Sequence, residues 1–283
     1  MSNDVRATNP NWQWYHSIGI PVLILAIILC GLLIPANLML LTWILILVFL
    51  VLLTMMFGQG ITGRFWLGWM VNEQFRMSLS RLQMALWTLV VLSGFLTAAL
   101  ANLAAGHIEE ALDIAIPPEV WATMGISTTS LVGSGLILTE KKKEKTNKTE
   151  ALRGMVEFGL LAEDADPATA TATVEQRTSG QLQRNTQPSQ ARLYDLVSGE
   201  EVGNFNVLDL TRLQNLFFTL VLVGAYAATL GNLFAGVAIS SGPAAPISSF
   251  PALDASIVAL LGISHGGYLV GKAANKQPKG EGS

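Results

Sequence analysis

The segment Leu38–Phe57, which reads LMLLTWILILVFLVLLTMMF, decides the fold class of the chain. Its twenty residues include no charged side chain. At about 1.5 Å per residue, a helix of this length is roughly 30 Å long, which matches the hydrocarbon core of a bilayer. The segment therefore predicts a helix that crosses a membrane.

Five further apolar stretches contain neither lysine nor arginine. They are Ile18–Pro35, Met84–Leu103, Val120–Leu138, Leu216–Phe234 and Leu253–Val270. Only 13% of the 283 residues are charged, against about 25% in soluble domains. We predict an all-α fold, a polytopic membrane helical bundle of about six transmembrane helices, which we number one to six along the chain.

The basic residues are confined to one side of this predicted bundle. Six crossings place four segments on the same side, and all seventeen lysines and arginines fall in them. These segments are 1–17, 58–83, 139–215 and 271–283. Because cationic loops resist translocation, both termini are predicted to be cytoplasmic. The net charge of -3 gives no reason to expect a nucleic-acid partner.

An internal repeat organises the chain after residue 61. Ser80-Arg81-Leu82-Gln83 recurs as Thr211-Arg212-Leu213-Gln214, and Gly125-Ile126-Ser127 recurs as Gly262-Ile263-Ser264. Each copy predicts a cytoplasmic elbow followed by a two-helix membrane hairpin, so the copies are parallel repeats. The predicted divisions are an N-terminal transmembrane hairpin (1–61), repeat 1 (62–139), a cytoplasmic insert (140–190), repeat 2 (191–274) and a C-terminal tail (275–283).

The repeated tetrapeptide predicts a capping box at two helix starts. Ser80 and Thr211 would accept from the third helical N–H, while Gln83 and Gln214 reach back. The arginine between them opposes the helix dipole. For Arg81 and Arg212, three interpretations stay open: lipid headgroup phosphates, a cluster of carbonyls, or simple anchoring on the cytoplasmic side.

Small residues recur on predicted helices four and six. The set that favours close helix packing, or an interface between copies in a homo-oligomer, is Gly125, Thr129, Gly133, Gly262, Gly266, Gly267 and Gly271. The alternative is that these residues line a pore. His265 belongs to the same candidate set, because it is an ionisable side chain well inside a predicted span.

The insert between the repeats changes in composition. We predict a short helix at 149–161 and a flexible, partly disordered linker at 162–190, because small polar residues there offer little apolar surface to offset the entropy of ordering. Apolar residues return at 191–210, which predicts an ordered second elbow. Its counterpart, the first elbow, is 65–79.

The tetrapeptide Ser80–Gln83, the Gly125-Ile126-Ser127 helix and the run Leu261–Leu269 with Lys272 resemble a family of largely uncharacterised multi-pass membrane proteins of bacteria, including cyanobacteria. The resemblance covers about residues 60–275. It implies a bacterial inner membrane or a thylakoid membrane. The chain is also similar in general appearance to membrane proteins associated with contractile injection machines.

The sequence brings together no nucleophile, base and orienting group, so we expect neither an enzyme nor a cofactor or metal site. Two functions remain. The first is a scaffold or anchor that docks a cytoplasmic protein partner at the lipid bilayer. The second is an oligomeric ion channel or small-solute transporter.

The charge asymmetry makes a labelling prediction. In a Cys30→Ser background, Glu110→Cys should react with an impermeant maleimide in intact cells, and Glu144→Cys only after permeabilisation. The sequon at Asn147 should stay unmodified in a translocation assay, because it lies on the side that is not translocated. Labelling of Glu144→Cys in intact cells, or glycosylation of Asn147, would overturn the predicted orientation.

Overall fold

The computed structural model describes residues 10–64, 66–239 and 245–274. The protein is all-helical, with 69% of residues in helix and eight α helices in the described part of the chain. They are α1 (Trp14–Leu33), α2 (Met39–Thr62), α3 (Leu79–Ala104), α4 (Pro118–Lys143), α5 (Lys148–Glu157), α6 (Pro167–Arg177), α7 (Leu210–Ile239) and α8 (Ala255–Ala273). Two short antiparallel strands, β1 (Thr178–Ser179) and β2 (Leu182–Gln183), complete the elements used below.

Five of the described helices are long and apolar enough to cross a membrane. They are Trp14–Leu33, Ala36–Thr62, Leu79–Ala104, Pro118–Lys143 and Leu210–Val237. These five coincide with predicted helices one to five and confirm the class, a multi-pass membrane protein. Predicted helix six is also a helix, α8, but it is not among the five. Its 19 residues include Ser264, His265 and Lys272, so the sixth crossing stays a prediction.

The chain divides into two compact units. The first comprises Met1–Trp69, Ala85–Trp121 and Val223–Leu253, and the second comprises Met70–Met84, Ala122–Leu222 and Asp254–Ser283. In the first unit, α1 and α2 form a hairpin whose buried core includes Ile27, Ile46 and Leu50. Trp43 is buried there and donates from Nε1 to Ser93 Oγ at 3.0 Å.

Hydrogen bonds join the last turn of α3 and the loop after it to the loop before α8. Buried Asn102 donates from Nδ2 to the Ile247 carbonyl at 3.0 Å, and its Oδ1 accepts from the Ile247 N–H at 2.9 Å. Ala115 donates to the Ser248 carbonyl at 2.8 Å and accepts from the Phe250 N–H at 2.9 Å. These bonds order the loops after α3 and before α8, because buried backbone groups need partners.

The insert is ordered, so the expectation of a flexible linker at 162–190 is wrong. Asp166 caps α6 by accepting from the N–H groups of Ala168 and Thr169, and Pro167 occupies the first turn. Helices α5 and α6 share a core in the second unit. Its buried members are Ala151, Met155, Val174, Val202 and Phe205. Composition underestimated the order because a few well-placed apolar residues from several segments meet in one cluster.

The β1–β2 hairpin closes the end of α4. Gln181 N–H donates to the Lys141 carbonyl at 3.0 Å, which satisfies one of the last carbonyls of the helix. Gly180 makes this approach possible: its φ is +62°, and a Cβ there would lie 2.4 Å from the Lys142 carbonyl oxygen. The insert is therefore attached directly to a candidate membrane span.

Candidate functional site

The caps of α3 and α7 lie two residues before the predicted positions. Ser78 Oγ accepts from the Arg81 N–H at 3.4 Å, and Asp209 Oδ1 accepts from the N–H groups of Thr211 and Arg212 at 3.0 and 3.2 Å. The predicted capping boxes at Ser80 and Thr211 are therefore wrong. Each helix begins earlier along the chain than the tetrapeptide pattern predicts. A different polar side chain therefore accepts from the free N–H groups of its first turn.

The residues of the predicted boxes have other roles. Buried Ser80 donates to Tyr268 Oη at 3.1 Å, and buried Gln83 donates from Nε2 to Thr219 Oγ1 at 2.8 Å. Thr211 packs close to Gly271, and Gln214 is exposed. The first-repeat pair thus makes tertiary contacts with α7 and α8 within the second unit.

Both arginines of the repeat donate to elbow carbonyls, one of the three interpretations. Arg81 Nη1 donates to the Val71 carbonyl at 2.9 Å. Arg212 is 4% exposed and donates to the carbonyls of Leu196 at 3.2 Å and Asp195 at 3.0 Å. Arg212 is thus closed off from lipid headgroups, whereas Arg81 is only half-buried.

The charged centre of the second unit is Glu200. Its Oε2 lies 2.6 Å from Lys272 Nζ, and its Oε1 lies 3.3 Å from Arg212 Nη1. Lys272 also donates to Tyr268 Oη at 3.2 Å. A cavity of about 20 Å³ adjoins these groups, which is room for about one water molecule. One carboxylate therefore joins the start of α7 to the end of α8.

Two further buried ion pairs surround this centre. Arg76 Nε lies 3.1 Å from Asp195 Oδ1, with side chains 4% and 3% exposed. Lys141 Nζ lies 2.5 Å from Glu201 Oε1 and donates to the Ala274 carbonyl at 2.9 Å. Since isolated buried charges are costly, each cation needs the carboxylate it has. The second elbow supplies all three carboxylates.

The electrostatics favour the ionised form of Glu200. Burial alone raises the pKa of a carboxyl group, but the positive charges of Lys272 and Arg212 outweigh burial and hold the pKa of Glu200 well below its ordinary value. The carboxylate therefore remains charged throughout the neutral range. The arrangement is a structural centre in which one carboxylate lies between two cations.

A second feature is a buried polar face on α8 and its neighbours. The buried residues of α8 are Leu261, Ser264, His265 and Tyr268, at the spacing of one helix face. Ser264 donates to Asn215 Oδ1 at 3.1 Å. Among the described residues, both ring nitrogens of His265, Gln83 Oε1 and Asn215 Nδ2 meet no hydrogen-bond partner. Such groups are costly to bury.

The predicted small-residue face is only partly a packing surface. A Cβ on Gly133 would lie 3.3 Å from Leu269, one on Gly262 would lie 3.7 Å from Ile126, and one on Gly271 would lie 3.7 Å from Thr211. The others face open space or are exposed: Gly125, Gly266, Gly267 and Thr129. On α8 the reason is that the buried face passes through His265 and Tyr268, so two of its four glycines lie beside it.

The acidic residues of the second elbow were missed by the sequence argument. Asp195, Glu200 and Glu201 follow the insert without a lysine or arginine between them. Acids in an otherwise apolar segment next to a membrane helix were the available signal. Their partners lie up to 119 positions away along the chain, so spacing alone could not pair them.

The class defined by this fold is a multi-pass membrane protein with an ordered polar unit. No protein-family profile matches the chain, and neither does any curated protein or solved structure.

The centre at Glu200 predicts a pH-dependent stability. A carboxyl group whose pKa is lowered by folding stabilises the protein above its unfolded pKa of about 4.3, and this stabilisation is lost as the pH falls below that value. Glu200→Gln should lower the free energy of unfolding at pH 7 by about 3–5 kcal/mol, because two buried cations lose their counter-charge. Melting temperatures in detergent at neutral and acidic pH provide the measurement.

The matched control for this variant is Glu140→Gln. Glu140 pairs with Lys143, but its side chain is 72% exposed, so the melting temperature should hardly change. In Glu200→Gln, the fall in melting temperature below about pH 4 should also be shallower than in the wild type. Equal losses in the two variants would contradict the assignment of Glu200 as the charged centre.

Proposed function

We propose that the protein is a membrane scaffold or anchor that docks a cytoplasmic partner or assembly at the bilayer. The observation that carries the proposal is the folded insert. Helices α5 and α6 have their own apolar core, and the hairpin binds the end of α4. A segment that is ordered and attached to a span offers a preformed surface, which lowers the entropic cost of binding a partner.

The buried ion pairs support the same function. Glu201 joins the second elbow to Lys141 at the end of α4, and Glu200 joins it to Lys272 near the end of α8. These ion pairs hold the second elbow, which follows the insert, against the ends of α4 and α8. A flexible tether would need none of these contacts.

The proposed topology has six crossings, with α8 as the sixth and both termini in the cytoplasm. The one-sided distribution of seventeen cations supports it. A duplicated origin of α3–α4 and α7–α8 is part of the proposal. Its support is local: each elbow closes with an antiparallel bridge, Val71 with Met77 and Ser198 with Leu208, directly before a capped helix.

The partner is proposed to be a cytoplasmic protein assembly in a bacterial inner or thylakoid membrane setting. A contractile injection machine is the assembly that the resemblance of the sequence suggests. No nucleic acid is proposed as a partner, and no catalytic role is assigned.

Crosslinking in native membranes tests the scaffold function. Wild-type protein should yield a stoichiometric partner crosslinked within residues 140–210. Val174→Asp should lose that partner, because Val174 is 4% exposed in the core between α5 and α6 and a buried charge would expel α6. Ala172→Asp, an exposed position on the same helix, is the control and should keep it.

Two results would count against the scaffold. One is the recovery of no cytoplasmic partner from gently treated membranes. The other is an equal yield of the partner, per chain, from the Val174→Asp and Ala172→Asp variants, which would show that the folded insert is not what binds.

A second candidate function, an oligomeric channel or small-solute transporter, is favoured by the buried polar face. Gln83, Asn215 and His265 each keep a side-chain atom without a partner among the described residues. Polar groups of this kind inside a helical bundle commonly mark the path of an ion or solute. The charged centre at Glu200 lies in the same unit.

Flux through reconstituted vesicles tests this second function. Wild-type protein should conduct ions or solute between about pH 5 and 8. His265→Ala should lower the flux, and His107→Ala in the loop after α3 should leave it unchanged. Absence of flux from the wild type over this range would remove the transporter function.

A further inference from the structure

We propose that the second unit binds the phosphate of a membrane phospholipid in a groove between the start of α3 and the last turns of α4, with Arg81 as its ligand. The chemistry that the groove recognises is a phosphate group with a hydrogen-bond donor close to it. The proposal is independent of the scaffold function, since it concerns the binding of a lipid and not of a protein partner.

The groove is a cavity of about 80 Å³, large enough for several water molecules. One wall consists of residues from the first elbow and α3: Asn72, Glu73, Gln74, Ser78 and Arg81. The other wall consists of residues from α4: Leu131, Ser134, Gly135, Leu138, Thr139 and Lys142. Polar groups and leucines thus line one space, which suits a molecule with a polar head and an apolar chain.

Arg81 has no direct ion-pair partner in the described part of the chain, and Glu73, the carboxylate whose pKa its charge helps to lower, is itself paired with Lys142. Its counterpart in the second repeat, Arg212, is paired with Glu200. Among the described residues, Arg81 forms no ion pair within 4.0 Å, and it uses one donor on the Val71 carbonyl. A guanidinium group has five N–H donors in a fork that fits phosphate oxygens. The two arginines therefore differ in their surroundings: Arg212 has a carboxylate at 3.3 Å, and Arg81 keeps donors available for an anion from outside the protein.

Gln74 provides the second, independent observation. It is 4% exposed and lines the groove, and its Oε1 meets no donor among the described residues. Beside it, Glu73 is already paired with Lys142, and the hydrogen bond from Lys142 lowers the pKa of Glu73. A buried acceptor calls for an N–H or O–H donor. The ammonium of an ethanolamine headgroup supplies such a donor next to its phosphate, whereas choline supplies none.

The position of the groove favours a lipid over a free phosphate. It lies where two candidate membrane spans end, at the first turns of α3 and the last turns of α4. Headgroup phosphates are concentrated at this depth of a bilayer. Leu131 and Leu138 on the α4 wall offer apolar surface to an acyl chain, and a free inorganic phosphate would gain nothing from them.

Lipid retention measured by native mass spectrometry tests the site. Protein purified in a mild detergent is exposed to phosphatidylethanolamine or phosphatidylcholine of the same acyl chains. We expect the wild type to retain phosphatidylethanolamine at a lower concentration than phosphatidylcholine. Arg81→Gln should weaken retention of both by about tenfold or more, because a charge-assisted hydrogen bond to phosphate is lost.

Two matched variants control the experiment. Lys143→Gln removes the same charge from an exposed side chain, 65% accessible, and should leave retention unchanged. Gln74→Leu should abolish the preference for ethanolamine over choline while phosphate binding persists. If Arg81→Gln fails to fold, as judged by its melting temperature, the headgroup preference of Gln74→Leu decides the question alone.

Several outcomes would overturn the proposal. Equal retention by the Arg81→Gln and Lys143→Gln variants would do so, and so would an unchanged headgroup preference in Gln74→Leu. Displacement of the lipid by millimolar inorganic phosphate would show that the groove binds free phosphate and that the lipid assignment is wrong.

Discussion

The second unit depends on the pairing of buried cations with carboxylates from a single elbow. The cations are Arg76, Lys141, Arg212 and Lys272, and the carboxylates are Asp195, Glu200 and Glu201. A lone buried charge costs several kcal/mol, and only close, hydrogen-bonded pairing offsets that cost. The elbow can therefore occupy only a conformation in which its acids reach all four cations. The same elbow ends at Asp209, which caps α7.

Arg81 and Arg212 occupy matching positions in two similar tetrapeptides but have different surroundings. Arg212 is enclosed by carbonyls and by Glu200, so its partners all lie within the protein. Arg81 donates to one carbonyl and remains half-buried. The difference arises from the elbows, because the second elbow places Glu200 within ion-pair distance of Arg212, whereas the acid of the first elbow, Glu73, is paired with Lys142. Both arginines thus donate to backbone carbonyls of an elbow, but only Arg212 also pairs with a carboxylate.

Membrane helices could be predicted from the sequence because lipid imposes a length and an absence of charge that can be counted. The caps could not. Ser80 fits the capping-box pattern better than Ser78 does, because Gln83 follows Ser80 by three residues and Arg81 follows Ser78. The actual cap depends on the first elbow, whose Met77 N–H donates to Asp195 Oδ2 at 3.2 Å. Likewise, order in the insert depends on Val174 meeting residues distant along the chain. Amino-acid composition gives the number of apolar residues in a segment, but it does not show which of them come into contact in the folded protein.

The ion pairs also constrain the order in which parts of the protein can fold during synthesis. Arg76 and Lys141 are synthesised well before Asp195 and Glu201, which they require. During that interval the growing chain carries two cations without their carboxylates, although the residues of α3 and α4 have already been synthesised. These cations must stay hydrated until the second elbow emerges. Closure of the unit is consequently a late event in biogenesis, and it waits for the final helix to deliver Lys272 to Glu200.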